Sequence, residues 1–222
     1  MASMAGSCVP LRRSLRFATH CSVRVRNELG GNSGSVTPSA SAATLPSGIS
    51  PHGRVSRTEG FTFPKMPSAE LHADAEVAVE LVRDLPANIG PGAAAQAIGA
   101  YAVALEVCDL RQLPDDAESI VAGNVLHRAV AFGPWSPILP EGDLTACLLV
   151  NGQARDSCVV ETKLGPRLSE AARVLEAVGE GLRAGDRIIT SLVVQVSVDF
   201  GDDVVADMDR LGRAALSIGS RA

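Results

Sequence analysis

The stretch HADAEVAVELVRDLP, residues 72–86, decides how the fold of this chain is interpreted. Polar and apolar residues alternate along it, and side chains two residues apart in a β-strand point to the same side of the sheet. The alternation predicts a strand over residues 74–82 that enters a turn at residues 83–86. Asp74 and Glu76 would therefore share one face of that strand.

A third acid, Glu106, opens a second strand-like run in YAVALEVCDLR, residues 101–111. A third oxygen ligand on a neighbouring strand would complete a site for a hard divalent cation such as Mg²⁺ or Mn²⁺. Acidic residues that alternate along a strand also commonly form a solvated face. The spacing by itself leaves both interpretations open.

Composition predicts one substantial domain with an aliphatic core. The chain has 222 residues, of which 46% are hydrophobic and 3% aromatic, so Val, Leu, Ile and Ala must form most of the core. The formal charge of −5 and the lack of a basic stripe interleaved with aromatic residues argue against nucleic-acid binding. No apolar run reaches the roughly 18–20 residues needed to cross a bilayer, so we expect a soluble protein without a membrane partner.

The cysteines predict reduced thiols. Cys8, Cys21, Cys108, Cys147 and Cys158 form neither a CxxC pair nor a Cys/His cluster with zinc spacing. An odd, scattered set fits a cytosol-like compartment, and the last three lie in apolar strand-like runs, where we expect small core residues.

Residues 1–57 differ in composition from the rest of the chain. They are rich in Ser, Gly and Arg and poor in acids, and residues 35–53 resemble a flexible linker. Such a segment is typical of an organellar transit peptide, but the excess of Arg over Lys throughout the chain fits equally well an extension without a targeting role. We favour the extension, which predicts a cytoplasmic protein. The predicted regions are a disordered or targeting-like extension over residues 1–57 and a globular domain over residues 58–222.

Periodicity and turn residues predict more strands than helices in the globular domain. Helices are predicted over residues 91–105 and 169–182, and residues 117–127 are predicted to be helical or mixed. Strands are predicted over residues 105–110, 129–132, 144–150, 154–161, 187–190, 193–198, 203–208 and 214–218. Asn151-Gly152 is a strong β-hairpin signal, and Ser169 is a predicted N-cap. The order of these elements predicts an α+β fold built around β-sheets.

Several motifs in this order resemble those of one enzyme family. DAEVAVELVRDLP resembles a Glu-x-Glu strand followed by an Asp-Leu-Pro turn, ALEVCDLR a strand with a third acidic ligand, and AGNVLHRAVAFG an Asp-Asn segment that ends at glycine. LLVNG resembles a hairpin turn, and AGDRIIT and FGDDVVADMDRLG a closing run of Ala-Gly-Asp and Gly-Asp. With these motifs, residues 61–218 resemble the 2-keto-4-pentenoate hydratase family, which shares the C-terminal fold of the fumarylacetoacetate hydrolases. The resemblance implies a mixed β-sheet roll or sandwich with few flanking helices, and a homo-oligomer.

The resemblance also implies a metal-dependent lyase. Carried over by position, Asp74, Glu76 and Glu106 would hold Mg²⁺ or Mn²⁺, and the substrate would be a short 2-hydroxydienoic or 2-oxo acid from aromatic-compound catabolism. Hydration is the default reaction, and decarboxylation of a 2-oxo acid is the related alternative, because a divalent cation stabilises the enolate-like charge in both.

Three further residues receive roles from the resemblance. Asp109 would assist proton transfer, with a turn-capping aspartate as the equal alternative. Asn124 and Ser191 would contact the substrate, although Asn124 fits a loop-tethering role as well. Glu80 lies on the face of Asp74 and is interpreted as solvated.

The sequence departs from the family pattern at positions that bear on catalysis. Asp74 replaces a longer Glu, Gly123 stands where the family has Asp, and Lys65 lies too close to the first metal strand to replace the family's N-terminal Lys. LGPRLSEA lacks the family's His, and ITSLVVQV lacks the glycine that precedes Ser191. General acid–base groups each contribute about 10²–10⁴ in rate, so the second hypothesis is a non-catalytic member that acts as a partner subunit.

Overall fold

The computed structural model describes residues 69–111, 126–160, 162–177 and 179–219, with backbone alone for residues 191–193, and adds the strand backbones of residues 22–25 and 61–64. Over these residues the chain forms ten strands and two helices. The strands are β1 (Ser22–Val25), β2 (Phe61–Pro64), β3 (Leu71–Leu81), β4 (Ile98–Asp109), β5 (His127–Phe132), β6 (Leu144–Val150), β7 (Gln153–Val160), β8 (Arg187–Ser197), β9 (Asp203–Met208) and β10 (Gly212–Gly219). The helices are α1 (Pro91–Ala95) and α2 (Gly165–Glu176).

The strands form two five-stranded sheets. The first has the order β1-β8-β3-β4-β5 and is antiparallel throughout, and the second has the order β2-β10-β9-β6-β7 with one parallel pair, β2 and β10. The predicted α+β class, with mixed sheets and few helices, is confirmed. In the described part of the chain, no helix has the length and apolar character that crossing a membrane requires.

The main core lies between the sheets. Alternate residues of β3, such as Ala73, Ala75 and Val77, are at most 1% exposed and belong to one apolar cluster with Leu148 and Leu216 of the second sheet. Burying such a Leu side chain contributes roughly 1.5–3 kcal/mol. The intervening residues of β3 therefore lie on the opposite face, which includes Asp74, Glu76, Ala78 and Glu80.

The helix predicted over residues 91–105 is wrong for most of its length. Helix α1 ends at Ala95, and from Ile98 the chain is strand β4, which pairs with β3 from Leu81↔Ile98 to Leu71↔Asp109. The small apolar side chains have good helix propensity, but pairing with β3 and β5 on both edges overrides that local preference.

Helix α2 begins four residues before the predicted start. Ser169 lies inside it and is not its N-cap, and the Ser169 hydroxyl donates to the Ile89 carbonyl oxygen at 2.5 Å. Pro166 sits in the first turn, a position that lacks an intrahelical N–H partner in any helix. The helix ends at Glu176 and not at residue 182, because Gly179 adopts a φ of 77°, the left-handed conformation that ends many helices.

Several strand predictions are confirmed. Strands β6 and β9 have the predicted limits, and Asn151 and Gly152 both have positive φ, 53° and 75°, as a type I′ hairpin turn requires. The two strands predicted over residues 187–198 form the single strand β8.

Some predictions concern regions outside the described residues. Residues 117–125 of the predicted second helix belong to these, and so do Lys65 and Gly123. The boundary between residues 1–57 and 58–222 stays a prediction. Within the first of these ranges, β1 pairs antiparallel with β8.

Candidate metal centre

The three predicted acids lie together on one face of the first sheet. Asp74 of β3 is directly opposite Glu106 of β4, and Glu76 follows Asp74 on the same side. The three residues are 4%, 7% and 4% exposed, respectively, so they do not form a solvated face. The β3–β8 pairing shifts register between Ala75 and Val77, at the position of Glu76.

The electrostatics of the cluster disfavour three negative charges. The pKa of Asp74 is raised well above its usual value, first by burial and then by repulsion from Glu106, while hydrogen bonds from Gln195 and Cys108 act in the opposite direction. Burial also raises the pKa of Glu76, followed by repulsion from Glu106 and Asp74 and a hydrogen bond with Glu106, against a weaker opposing field from Arg167. Repulsion among the acids therefore outweighs the opposing field of Arg167 at Glu76.

Within the described part of the chain, two carboxylate oxygens of the cluster have no hydrogen-bond partner. Asp74 Oδ1 and Glu76 Oε2 are buried and unsatisfied, an arrangement that costs about 1–3 kcal/mol per group. Buried carboxylate oxygens that lack hydrogen-bond partners are hard donors and fit a divalent cation in chemical type. Among the described residues, no group of three or more acidic, His or Cys side chains already adopts an arrangement that could hold a metal ion. The three carboxylates are thus of the right chemical type for a divalent cation, but their side chains would have to reorient to bind one.

His127 contacts the Glu106 carboxylate and so affects its orientation. Its Nδ1 lies 2.5 Å from Glu106 Oε1, and its ring is buried with Nε2 unsatisfied. This contact holds one Glu106 oxygen toward β5. The sequence did not identify His127, because the strand was predicted to begin at residue 129 and the structure starts it at His127, opposite Cys108.

Cys108 also belongs to the cluster. Its thiol donates to Asp74 Oδ2 at 3.4 Å and accepts from Gln195 Nε2 at 3.7 Å. Burial raises the pKa of this thiol, and repulsion from Asp74, Glu106 and Glu76 raises it further. The prediction of a small buried residue is confirmed, but the side chain contacts a carboxylate as well as the core.

Asp109 has contacts of a different kind. It accepts hydrogen bonds from the backbone N–H groups of Glu70 at 3.2 Å and Arg111 at 3.1 Å. Its Oδ2 lies 3.6 Å from the Arg128 guanidinium and 3.7 Å from that of Arg111. These contacts match the turn-capping interpretation, and the proton-transfer role stays a prediction.

The two predicted substrate contacts stay predictions. Asn124 lies outside the described residues, and Ser191 lies in β8 at a position where only the backbone is described. Glu80, the fourth acid on this face of β3, pairs with Arg187 at 2.7 Å.

Comparison with known proteins identifies one family. The family described as "Fumarylacetoacetate (FAA) hydrolase C-terminal" matches residues 32–218 of the chain. No curated protein matches the chain at a significant level.

Similar solved structures share the fold. The 4-oxalocrotonate decarboxylase from Pseudomonas putida G7, complexed with magnesium and adipate, has a TM-score of 0.64 and 21% identity, over 74% of this chain and 66% of that one. The fumarylpyruvate hydrolase from Pseudomonas aeruginosa, with Mn²⁺ and pyruvate, has a TM-score of 0.56 and 19% identity, over 75% of each chain. The fumarylacetoacetate hydrolase from Exiguobacterium antarcticum has a TM-score of 0.58 and 19% identity, over 75% of this chain and 63% of that one. The chain thus spans just under two thirds of the length of the decarboxylase.

Proposed function

Because the chain belongs to the fumarylacetoacetate hydrolase C-terminal family, we propose that it is a divalent-metal-dependent enzyme that acts on a short 2-oxo or 2-hydroxy acid. The observation that carries this proposal is the buried cluster of Asp74, Glu76 and Glu106 with its unsatisfied oxygens. Structures with the same fold hold magnesium or Mn²⁺ in their reported complexes, which supports the choice of ion.

Asp74, Glu76 and Glu106 would hold the cation with carboxylate oxygens. Binding would place a positive charge next to the acids, so the cation would stabilise the ionised forms of Asp74 and Glu76. Glu106 would contribute its second oxygen, because His127 already contacts Oε1. When bound, the cation supplies Lewis-acid stabilisation of negative charge on the substrate oxygen.

The substrate class follows from the cation that the site is proposed to hold. A carboxylate next to a 2-oxo group presents two oxygens that suit a hard cation. The complexes of similar structures with adipate and pyruvate, both carboxylic acids, support this class. Burial of the three acids would strengthen the electrostatic stabilisation of an enolate.

We propose lyase chemistry, with decarboxylation of a 2-oxo acid and hydration of a 2-hydroxydienoate as the two candidate reactions. Decarboxylation needs fewer catalytic groups than hydration. It requires one proton donor for the enolate carbon, whereas hydration also requires a base that activates water. The first similar structure above is a decarboxylase, which favours testing that reaction first. Hydration, the default that the sequence resemblance implied, remains the second candidate. The resemblance also leads us to propose a homo-oligomer, which analytical ultracentrifugation would test.

The decisive experiment is a calorimetric titration of the full-length protein with Mg²⁺ and Mn²⁺. Glu76→Gln and Glu106→Gln should each abolish binding, because each removes one anionic ligand. Glu80→Gln is the matched control, since Glu80 lies on the same face of β3 but pairs with Arg187. Ions that bind the parent protein and all three variants equally would show that the cluster is not the metal site.

Turnover would then be measured as CO₂ release from 2-oxo acids and as loss of the dienoate absorbance. Metal binding without either reaction would favour the non-catalytic partner-subunit hypothesis. CO₂ release that depends on the cation and disappears in Glu106→Gln would support the decarboxylase.

A further inference from the structure

A buried thiol, that of Cys108, lies next to the acids of the proposed metal site. Cys108 is 4% exposed, and its Sγ lies 3.4 Å from Asp74 Oδ2, on the strand that also carries Glu106. Both residues face the same side of β4, because they are two positions apart. The Cys108 side chain therefore lies within the cluster of acids.

The contacts of Cys108 are weak for a buried polar group. Gln195 Nε2 lies 3.7 Å from Sγ, and the distance from Sγ to the His72 carbonyl oxygen is also 3.7 Å. Meanwhile Asp74 Oδ1 and Glu76 Oε2, both buried, lack partners. A cation that contacts Asp74 would come within reach of the sulfur, since Asp74 and Cys108 already touch.

We propose that Cys108 supplies a sulfur donor to the cation, so that this site binds thiophilic first-row divalent ions such as Co²⁺ and Zn²⁺ more tightly than its three carboxylates alone would. This inference rests on the proposed three-carboxylate site. Thiolate ligands select borderline and soft ions, whereas a site made only of carboxylates suits Mg²⁺ and Mn²⁺. On binding, the S–H bond is replaced by a sulfur–metal bond, and the proton leaves to the buffer.

The test compares the parent protein with Cys108→Val, which keeps a small buried side chain and removes the sulfur. Any nitrogen or oxygen site binds Co²⁺ more tightly than Mg²⁺, so the ratio of the two affinities in the parent protein decides nothing. The informative quantity is the change in that ratio. We expect Cys108→Val to weaken Co²⁺ binding by about tenfold or more while Mg²⁺ affinity changes little, by analogy with the 10–100-fold effects of altered metal surroundings.

A spectroscopic readout makes the test independent of activity. The Co²⁺ complex of the parent protein should show a sulfur-to-cobalt charge-transfer band in the near ultraviolet, and Cys108→Val should lose it. Cys147→Val is the control, because Cys147 is also a free thiol but lies on the second sheet. Thermal unfolding of each variant verifies that it is folded.

The outcomes separate the two proposals. An unchanged affinity ratio and no charge-transfer band, with Glu106→Gln still abolishing both ions, would overturn the sulfur donor and leave the carboxylate site intact. If neither ion binds the folded parent protein, the carboxylate site and the sulfur donor both fail. Should Cys108→Val be unfolded, Cys108→Ser is measured in its place, and an unchanged Co²⁺ spectrum in that variant would contradict the proposal.

Discussion

Carboxylates lie at both ends of one face of β3, and their charges are compensated differently at the two ends. At one end Glu80 pairs with Arg187 at 2.7 Å, and the Arg187 guanidinium lies 4.9 Å from the Trp135 ring centroid. At the other end Asp74 and Glu76 are almost fully buried, and each has an oxygen without a partner. Glu80 is thus neutralised by an ion pair, whereas Asp74 and Glu76 are desolvated acids with raised pKa values, a combination that is common at functional sites.

The largest expected difference between the two ends is in metal affinity. Glu106→Gln should weaken Mn²⁺ binding by at least about 100-fold, because it removes an anionic donor, a larger change than the 10–100-fold typical of residues behind a ligand. Glu80→Gln should leave the affinity unchanged. Calorimetry on both variants measures this, and equal losses would show that the two ends do not differ in function.

His127 sharpens the comparison, because it is a positioning residue for the Glu106 carboxylate. His127→Ala should lower Mn²⁺ affinity by about 10–100-fold, since Glu106 Oε1 loses its contact with Nδ1. His127→Asn keeps an N–H donor near that position and should restore most of the affinity. Failure of the Asn variant to recover affinity, with unchanged thermal stability, would point to a role for the ring other than holding Glu106.

The pH dependence of the free energy of unfolding should also distinguish Asp74 and Glu76 from Glu80. Acids in an unfolded chain usually titrate in the range of about pH 4. Below that range, Asp74 and Glu76 are protonated in both the folded and the unfolded state, so their titration does not change the free energy of unfolding. As the pH rises above that range, the unfolded state loses these protons first, because burial raises the pKa of both residues in the folded state. The free energy of unfolding of the metal-free protein should therefore fall with rising pH until the folded-state pKa values are passed.

Urea denaturation of metal-free protein at pH 5 and pH 8 measures this fall. Glu76→Gln should reduce the fall, and Glu80→Gln should not. Added Mg²⁺ should stabilise the parent protein more at pH 8 than at pH 5, because ion and proton compete for the same oxygens. A parent protein whose metal-free stability rises between these pH values by the same amount as that of Glu76→Gln would contradict the prediction.

The apolar part of the same face predicts a packing effect. Ala104 and Ala78 are fully buried, and Phe132 and Ile189 belong to the same small cluster. Ala104→Leu should destabilise the protein by about 1–3 kcal/mol, because the added carbons have no space. Ala100→Leu is the control on the same strand at a half-buried position. Chemical denaturation compares the two, and an equal effect would mean that the cluster is loosely packed.

The smallest expected effect is that of the Glu80–Arg187 ion pair. Both side chains are partly exposed, at 35% and 21%, so Glu80→Gln should cost about 0.2–1 kcal/mol and less at high salt. Urea denaturation in low and high salt measures it. A loss of several kcal/mol would show that this pair, too, holds charge in a desolvated site.

Local patterns determined much of this protein before any tertiary contact was known. The alternation around Asp74 and Glu76 predicted strand β3, and Asn151-Gly152 predicted its hairpin, because side-chain period and turn chemistry depend only on neighbouring residues. The order of these motifs was enough to indicate an α+β fold and the fumarylacetoacetate hydrolase C-terminal family, whereas the narrower hydratase family stays a prediction. The three acids were predicted as one cluster and do lie together.

Only the tertiary structure decided the rest. Ile98 to Leu105 lie in a strand and not a helix, because β3 and β5 pair with β4 on its two edges. The positions of Cys108 and His127 beside the acids depend on strand register, which arises from residues far apart in the chain. The same register removed water from Asp74, Glu76 and Glu106, and that desolvation, which no sequence pattern encodes, turns three acids on neighbouring strands into a candidate metal centre.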